Sequence, residues 1–198
     1  MIIGLTGGIA SGKSTVSALL VNKGARLVDA DVIAREVMLP GHEVLAAAAK
    51  QFGKEILFPD GTLNRAKLGE IVFQDPVALQ TLNNLTHPAI RQEIKDRMYS
   101  MEQEEPKRLI IVDIPLLFES GLETLFHEIV VVYVPREMQV ARLMERNRLS
   151  LEEAEARLNA QMDIEQKRNK ADYIIDNSGD LAYTEQQVAV FWDRLGLS

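Results

Sequence analysis

Residues 4–15 read GLTGGIASGKST, and within them Gly7, Gly12, Lys13 and Ser14 satisfy the spacing G-x-x-x-x-G-K-[ST]. An apolar run, Ile2–Leu5, precedes the match, and a segment with helical pattern, Lys13–Asn22, follows it. That context is what a phosphate-binding P-loop requires. Glycines let the chain turn tightly, so that the N–H groups of Gly8, Ala10, Ser11 and Gly12 face inward and form an anion nest with the helix N-terminus. Lys13 then reaches the β- and γ-phosphates, the Ser14 hydroxyl is a magnesium ligand, and Thr15 lies beside the α-phosphate. A flexible glycine-rich turn feeding a helix is the plainer reading of the same residues. At ordinary residue frequencies the four fixed positions recur by accident in roughly one chain in a hundred of this length, and the strand and helix on either side make accident rarer.

The P-loop alone leaves three classes open: a small-molecule kinase, a hydrolysing ATPase and a GTP-dependent switch. Asn169–Asp172 (NKAD) matches the guanine-reading N-K-x-D, and Asp176–Gly179 (DNSG) matches D-x-x-G. Their order is the reverse of a GTPase, and NKAD precedes a strand instead of following one. Nucleotides bind beyond the carboxyl ends of parallel strands, so NKAD is at the wrong end. Asp113, closing the apolar run LIIVD, is placed as a carboxylate for a magnesium shell, or as a strand-ending aspartate that caps a turn before Pro115. Ile114 stands where many ATPase motors carry a water-activating glutamate. Transfer to an acceptor other than water is favoured.

Asp31, after the run Arg26–Asp29, either N-caps a helix over Val32–Met38 or accepts the proton of an attacking hydroxyl; one residue can do both. Arg142 and Arg146 are four apart on one helix face, Arg148 lies in the corner that follows and Arg157 is on the next helix. They are surface arginines paired with Glu145 and Glu153, or they stabilise charge on a transferring phosphoryl group as an arginine-bearing hairpin closes.

Short aliphatic runs at Ile2–Leu5, Arg26–Asp29, Leu109–Asp113, Ile129–Val134 and Tyr173–Asp176, separated by helical patterns, imply a parallel sheet covered on both faces. Val188, Phe191, Trp192 and Leu195 mark the apolar face of a last helix. Residues 37–104 break the alternation and read as a helical insertion; in HPAIRQEIKDRM, Pro88 suits a first helical turn. Ser150 and Glu153 have capping-box spacing, which makes ERNRLS the corner of a helix hairpin.

The 198-residue chain carries 46% hydrophobic and 26% charged residues and a net charge of -7. That is a globular composition whose surface repels nucleic acid. Cysteine is absent, which excludes thiolate chemistry and fits a reducing compartment. His42, His87 and His127 are too far apart to form a spaced ligand pair. The apolar opening is too short for a signal peptide and no run has the length of a membrane span. A cytoplasmic protein is expected, working without membrane or nucleic acid.

The ordered set LTGGIASGKST, DADVIAREV with Pro40-Gly41, HPAIR at His87, DIPLLFE from Asp113, QVARLMERN from Gln139, RLNAQ ending at Gln161 and ADYIIDNSG from Ala171 resembles the dephospho-CoA kinase family over nearly the whole chain. The resemblance implies an α/β P-loop core over residues 1–198: a parallel five-stranded sheet flanked by helices, with an acceptor-binding insertion at 37–104 and a lid at 136–168. It puts Asp31 next to the acceptor hydroxyl, Arg35 and His87 on the acceptor side, Arg142 and Arg146 in the lid and Asn177 near the adenine. The implied reaction is phosphorylation of the ribose 3′-hydroxyl of dephospho-CoA by ATP with magnesium. A nucleoside monophosphate kinase, or another small-molecule P-loop kinase, is the alternative.

Overall fold

The computed structural model describes residues 1–197. Five strands, β1 (Ile2–Gly7), β2 (Arg26–Asp29), β3 (Ile110–Asp113), β4 (Ile129–Tyr133) and β5 (Tyr173–Asp176), form one sheet in the order β2-β3-β1-β4-β5. The pairs β1–β3, β1–β4 and β4–β5 are parallel, with Leu5 opposite Asp113, Gly7 opposite Val132 and Tyr133 opposite Asp176. All carboxyl ends therefore fall on one edge, with β1 at its centre. The strands match the aliphatic runs closely, because strands buried on both faces need unbroken apolar sequence.

Two compact units are present, residues 1–28 with 100–198, and residues 29–99. In the first, helices α1 (Lys13–Asn22) and α9 (Leu181–Arg194) flank the sheet. Val16 and Leu20 of α1 and Val188, Phe191 and Trp192 of α9 share one buried cluster with Ile3, Leu5, Ile111, Val130 and Val132. Leu195, expected on the same face, is partly buried against it.

The second unit is helical: α2 (Ala30–Glu36), α3 (Glu43–Phe52), α4 (Arg65–Gln74) and most of α5 (Pro76–Glu104). Its buried residues include Ile33, Val37, Val44, Leu45, Leu68, Val72, Ile94 and Met98. Arg97 pairs with Glu36 and, at 2.7 Å, with Glu93. Two local expectations are corrected here. Asp31 is not a cap: Asp29 is, its Oδ1 accepting from the N–H groups of Asp31 (2.8 Å) and Val32 (3.1 Å). Pro88 does not open a helix: it sits inside the 29-residue α5. The proline at the first helical position is Pro76, after Asp75, whose side chain accepts from Val77 N at 2.8 Å. The two prolines are more than three helical turns apart, and only the continuous α5 distinguishes them.

Among the described residues no helix is long and apolar enough to cross a membrane.

An internal proline lacks the N–H that the Asn84 carbonyl would accept and crowds that carbonyl. Pro88→Ala should therefore stabilise α5 by about 1 kcal/mol or more, up to the roughly 3 kcal/mol that separates the two residues in helix interiors. A higher thermal midpoint is the expected reading; a lower one would mean that the distortion at Pro88 is matched by packing.

Candidate active site

The P-loop turns immediately after β1. A Cβ on Gly7 would come within 2.6 Å of Ser11 Oγ and 2.8 Å of the Val132 carbonyl, so the turn is too tight for a side chain. Ala10 and Gly12 adopt positive φ, 59° and 81°, the left-handed conformation that aims successive N–H groups toward one point. Ser11 N donates to Gly8 O at 3.1 Å and Thr15 N to Gly12 O at 2.9 Å, which carries the loop directly into α1. Ser11 Oγ is buried with no hydrogen-bond partner in the protein.

Side chains from three separate parts of the chain hold the backs of the loop residues. Gln139 Nε2 donates to Ile9 O at 2.8 Å, Asn177 Nδ2 to Ser11 O at 2.7 Å and Lys167 Nζ to Gly7 O at 3.3 Å. Neither Gln139 nor Lys167 stands out in the sequence, where one lies in a helical run and the other in a charged one. Their burial, 3% and 0% exposed, is what reveals them.

Lys13 and Asp113 form an ion pair. The register that sets Leu5 opposite Asp113 brings this carboxylate beside the loop, where it is 4% exposed. A nucleotide's phosphates would compete for the Lys13 ammonium and release the carboxylate. Ser14 and Asp113 could then offer oxygens to a magnesium ion. Among the described residues no group of three or more His, Cys, Asp or Glu could hold a metal, and two protein oxygens fit magnesium that arrives with phosphates and water.

Beside the loop, a cavity of about 640 Å³ is lined by Gly12, Thr15, Arg142, Arg146, Asn177 and Leu181, among others. Asn177 follows β5 and is 8% exposed. Its Oδ1 accepts from Thr184 Oγ1 at 2.5 Å and its carbonyl from Arg142 at 3.0 Å. Among the described residues Arg142 and Arg146 form no ion pair with Glu145 or Glu153: Arg142 takes that carbonyl, Arg146 bonds Asn147 at 2.9 Å, and Glu153 is used in the capping box with Ser150, where the Arg157 charge also favours its carboxylate. They belong to a hairpin of α6 (Arg136–Asn147) and α7 (Leu151–Asn159), with Arg148 in the left-handed conformation (φ 53°) at its corner. Leu143, Ala154 and Leu158 of the hairpin pack with Ile9 and Ala10 of the P-loop. NKAD runs from the last residue of α8 (Ile164–Asn169) to the residue before β5. There Asp172 accepts from Ile129 N at 2.8 Å, so it holds the amino ends of two strands together.

In the helical unit, Asp31 lies in the first turn of α2 and Arg35 in its last. Both are exposed, and a spacing of four sets them on one helix face. His87 lines a separate cavity of about 600 Å³ with Asn83, Asn84, Arg91, Gln92 and Lys95; neither Asp31 nor Arg35 contributes to it. Partial burial, and then the Arg91 charge, hold the His87 imidazole below its ordinary pKa of 6.5.

A P-loop leading out of the central strand of a five-stranded parallel sheet, with an arginine-bearing hairpin packed on it, is the architecture of the P-loop kinases. Shikimate kinase from Bacteroides thetaiotaomicron shares the fold at a TM-score of 0.53 and 15% identity, covering 99% of this chain and 98% of that one. The family described as dephospho-CoA kinase matches residues 1–183, and the chain belongs to that family. A dephospho-CoA kinase from Listeria innocua is 50% identical over 97% of this chain and 96% of its own length. The solved dephospho-CoA kinase from Campylobacter jejuni superposes with a TM-score of 0.78 at 36% identity, covering 98% of this chain and 96% of that one.

Asn177→Ala leaves the Ser11 carbonyl without its side-chain donor and takes one of two acceptors from the Thr184 hydroxyl, which keeps Asp180 O at 3.2 Å. A loss of about 1–3 kcal/mol is expected, read as a lower urea midpoint, together with ATP binding weakened by about tenfold or more in calorimetry.

His87 contributes to the pH dependence of stability. Because its folded-state pKa is depressed, the unfolded chain binds the extra proton first, and stability falls as pH drops below about 6.5. His87→Gln should flatten that part of a plot of urea midpoint against pH.

Proposed function

We propose that the protein transfers the γ-phosphoryl group of ATP to the ribose 3′-hydroxyl of dephospho-CoA, giving CoA and ADP. The observation that carries this reading, in a chain of this family, is the Asp31 carboxylate. Asp29 does the capping of α2, and Asp31 is left exposed two residues beyond β2. An exposed carboxylate is what a hydroxyl acceptor needs as its proton acceptor. A monophosphate acceptor would instead call for cations at that position.

In the proposed reaction the loop N–H groups and Lys13 hold the β- and γ-phosphates, and Thr15 and Asn177 border the rest of the nucleotide. Asp31 receives the proton of the attacking hydroxyl. Arg142 and Arg146 stabilise the charge that spreads over the transferring oxygens. Ser14 and Asp113 would hold magnesium, which neutralises phosphate charge. Residues 37–104, with Arg35 on α2 and His87 on α5, serve the acceptor; residues 136–168 serve as the lid that excludes water. The net charge of -7 suits small-molecule substrates in the cytoplasm over nucleic acid.

The test is an acceptor panel. With ATP and magnesium, ADP should form rapidly with dephospho-CoA, and negligibly with AMP, CMP, UMP, shikimate or water alone; mass spectrometry should find one added phosphate on dephospho-CoA. Faster turnover of a nucleoside monophosphate would replace the acceptor named here. Asp31→Asn keeps the size of the side chain but accepts no proton, and turnover should fall about 10²–10⁴-fold at an unchanged melting temperature. A smaller loss would assign Asp31 to positioning the acceptor.

A further inference from the structure

The Lys167 side chain is fully buried, with 0% exposure, in a segment where every other Lys and Arg reaches solvent. An ammonium has three protons to donate and nothing to accept with. Two are donated to carbonyls, Gly7 O at 3.3 Å and Pro115 O at 3.1 Å, and the ammonium is ion-paired with Glu119 Oε1 at 2.9 Å. Gly7 begins the P-loop. Pro115 follows Asp113 by two residues, and its carbonyl is also bonded by Thr6 Oγ1 at 3.1 Å. The same Glu119 oxygen accepts from Met162 N at 2.9 Å, at the point where the chain leaves the α6–α7 hairpin for α8.

We infer that Lys167 is a positioning residue for phosphoryl transfer: its ammonium fastens the start of the P-loop to the loop beyond Asp113, and Glu119 ties that junction to the end of the hairpin. Burying a charge is costly unless it is paired and hydrogen-bonded throughout. A methionine would fill much of the same space at no such cost, so packing alone does not account for a lysine here. What a lysine adds is a cation for Glu119 and two donated hydrogen bonds, both to carbonyls that flank the Lys13–Asp113 pair. Lys167 acts through the Gly7 and Pro115 carbonyls that it holds.

The inference concerns the nucleotide half of the proposed reaction, and it is tested with the purified full chain carrying Lys167→Met or Glu119→Gln. Three quantities are measured at a temperature where each variant is folded by circular dichroism: kcat, KM for dephospho-CoA, and the Kd of a non-hydrolysable ATP analogue by calorimetry. A small misplacement of reacting groups can lower the rate by about 10²-fold. Lys167→Met is expected to lower kcat about 10- to 100-fold and weaken the analogue about tenfold, with KM for dephospho-CoA within about twofold of the parent. Glu119→Gln, which keeps a hydrogen-bond acceptor for the ammonium, should move the same two quantities in the same direction by less. Folded variants with parental kcat and analogue Kd, differing only in melting temperature, would overturn the inference and leave Lys167 as a structural ion pair. If Lys167→Met does not fold, the same criteria applied to Glu119→Gln decide. Should the parent itself not phosphorylate dephospho-CoA, the acceptor assignment fails, and the analogue titration still decides the role of Lys167.

Discussion

A loop that aims its N–H groups at an anion must turn carbonyls away from it, into the protein, where each needs a donor. That constraint organises much of the first unit. The carbonyls of Gly7, Ile9 and Ser11 are met by Lys167, Gln139 and Asn177, every second residue of the loop being held from behind. Those donors come from α8, α6 and the end of β5. The helices packed around the carboxyl edge of the sheet are thus also the scaffold that gives the P-loop its shape.

The same kind of contact ties the arginine hairpin to the P-loop. Ile9 and Ala10 interrupt the glycines with apolar side chains, and these pack with Leu143, Ala154 and Leu158 of α6 and α7. Arg142 reaches the carbonyl of Asn177, whose amide supports the loop. Apolar contact and hydrogen bonds therefore couple the hairpin to the loop. Rotation of α6 would disturb both the arginine and the carbonyl donors, which is a physical reason for a phosphoryl-transfer site to respond as a unit to nucleotide.

In the helical unit, one aspartate frees another. Asp29 takes the two N–H groups that open α2, and Asp31 keeps its carboxylate for solvent or substrate. The sequence DAD carries both roles but does not say which residue has which. The cap requires the extended backbone that Asp29 has at the end of β2, φ -104° and ψ 114°, while Asp31 is already helical.

The strands, the P-loop and the helix after it were legible in sequence, because each rests on local rules: unbroken aliphatic runs, glycine where no Cβ fits, and a lysine and hydroxyl at fixed offsets. So was the corner at Arg148, set by the Ser150–Glu153 box. The start of α5 was not, because two prolines obey the same local rule and only the packed helix selects Pro76 over Pro88. Asn177 was identified through family likeness and not through its chemistry; its hydrogen bonds run to Ser11 and Thr184, far off in the chain. Lys167 and Gln139 were invisible for a sharper reason. In a sequence, a lysine among charged residues and a glutamine on an amphipathic helix read as solvated surface. Only tertiary packing turned them inward, because the loop carbonyls that need their protons lie 160 and 130 residues away.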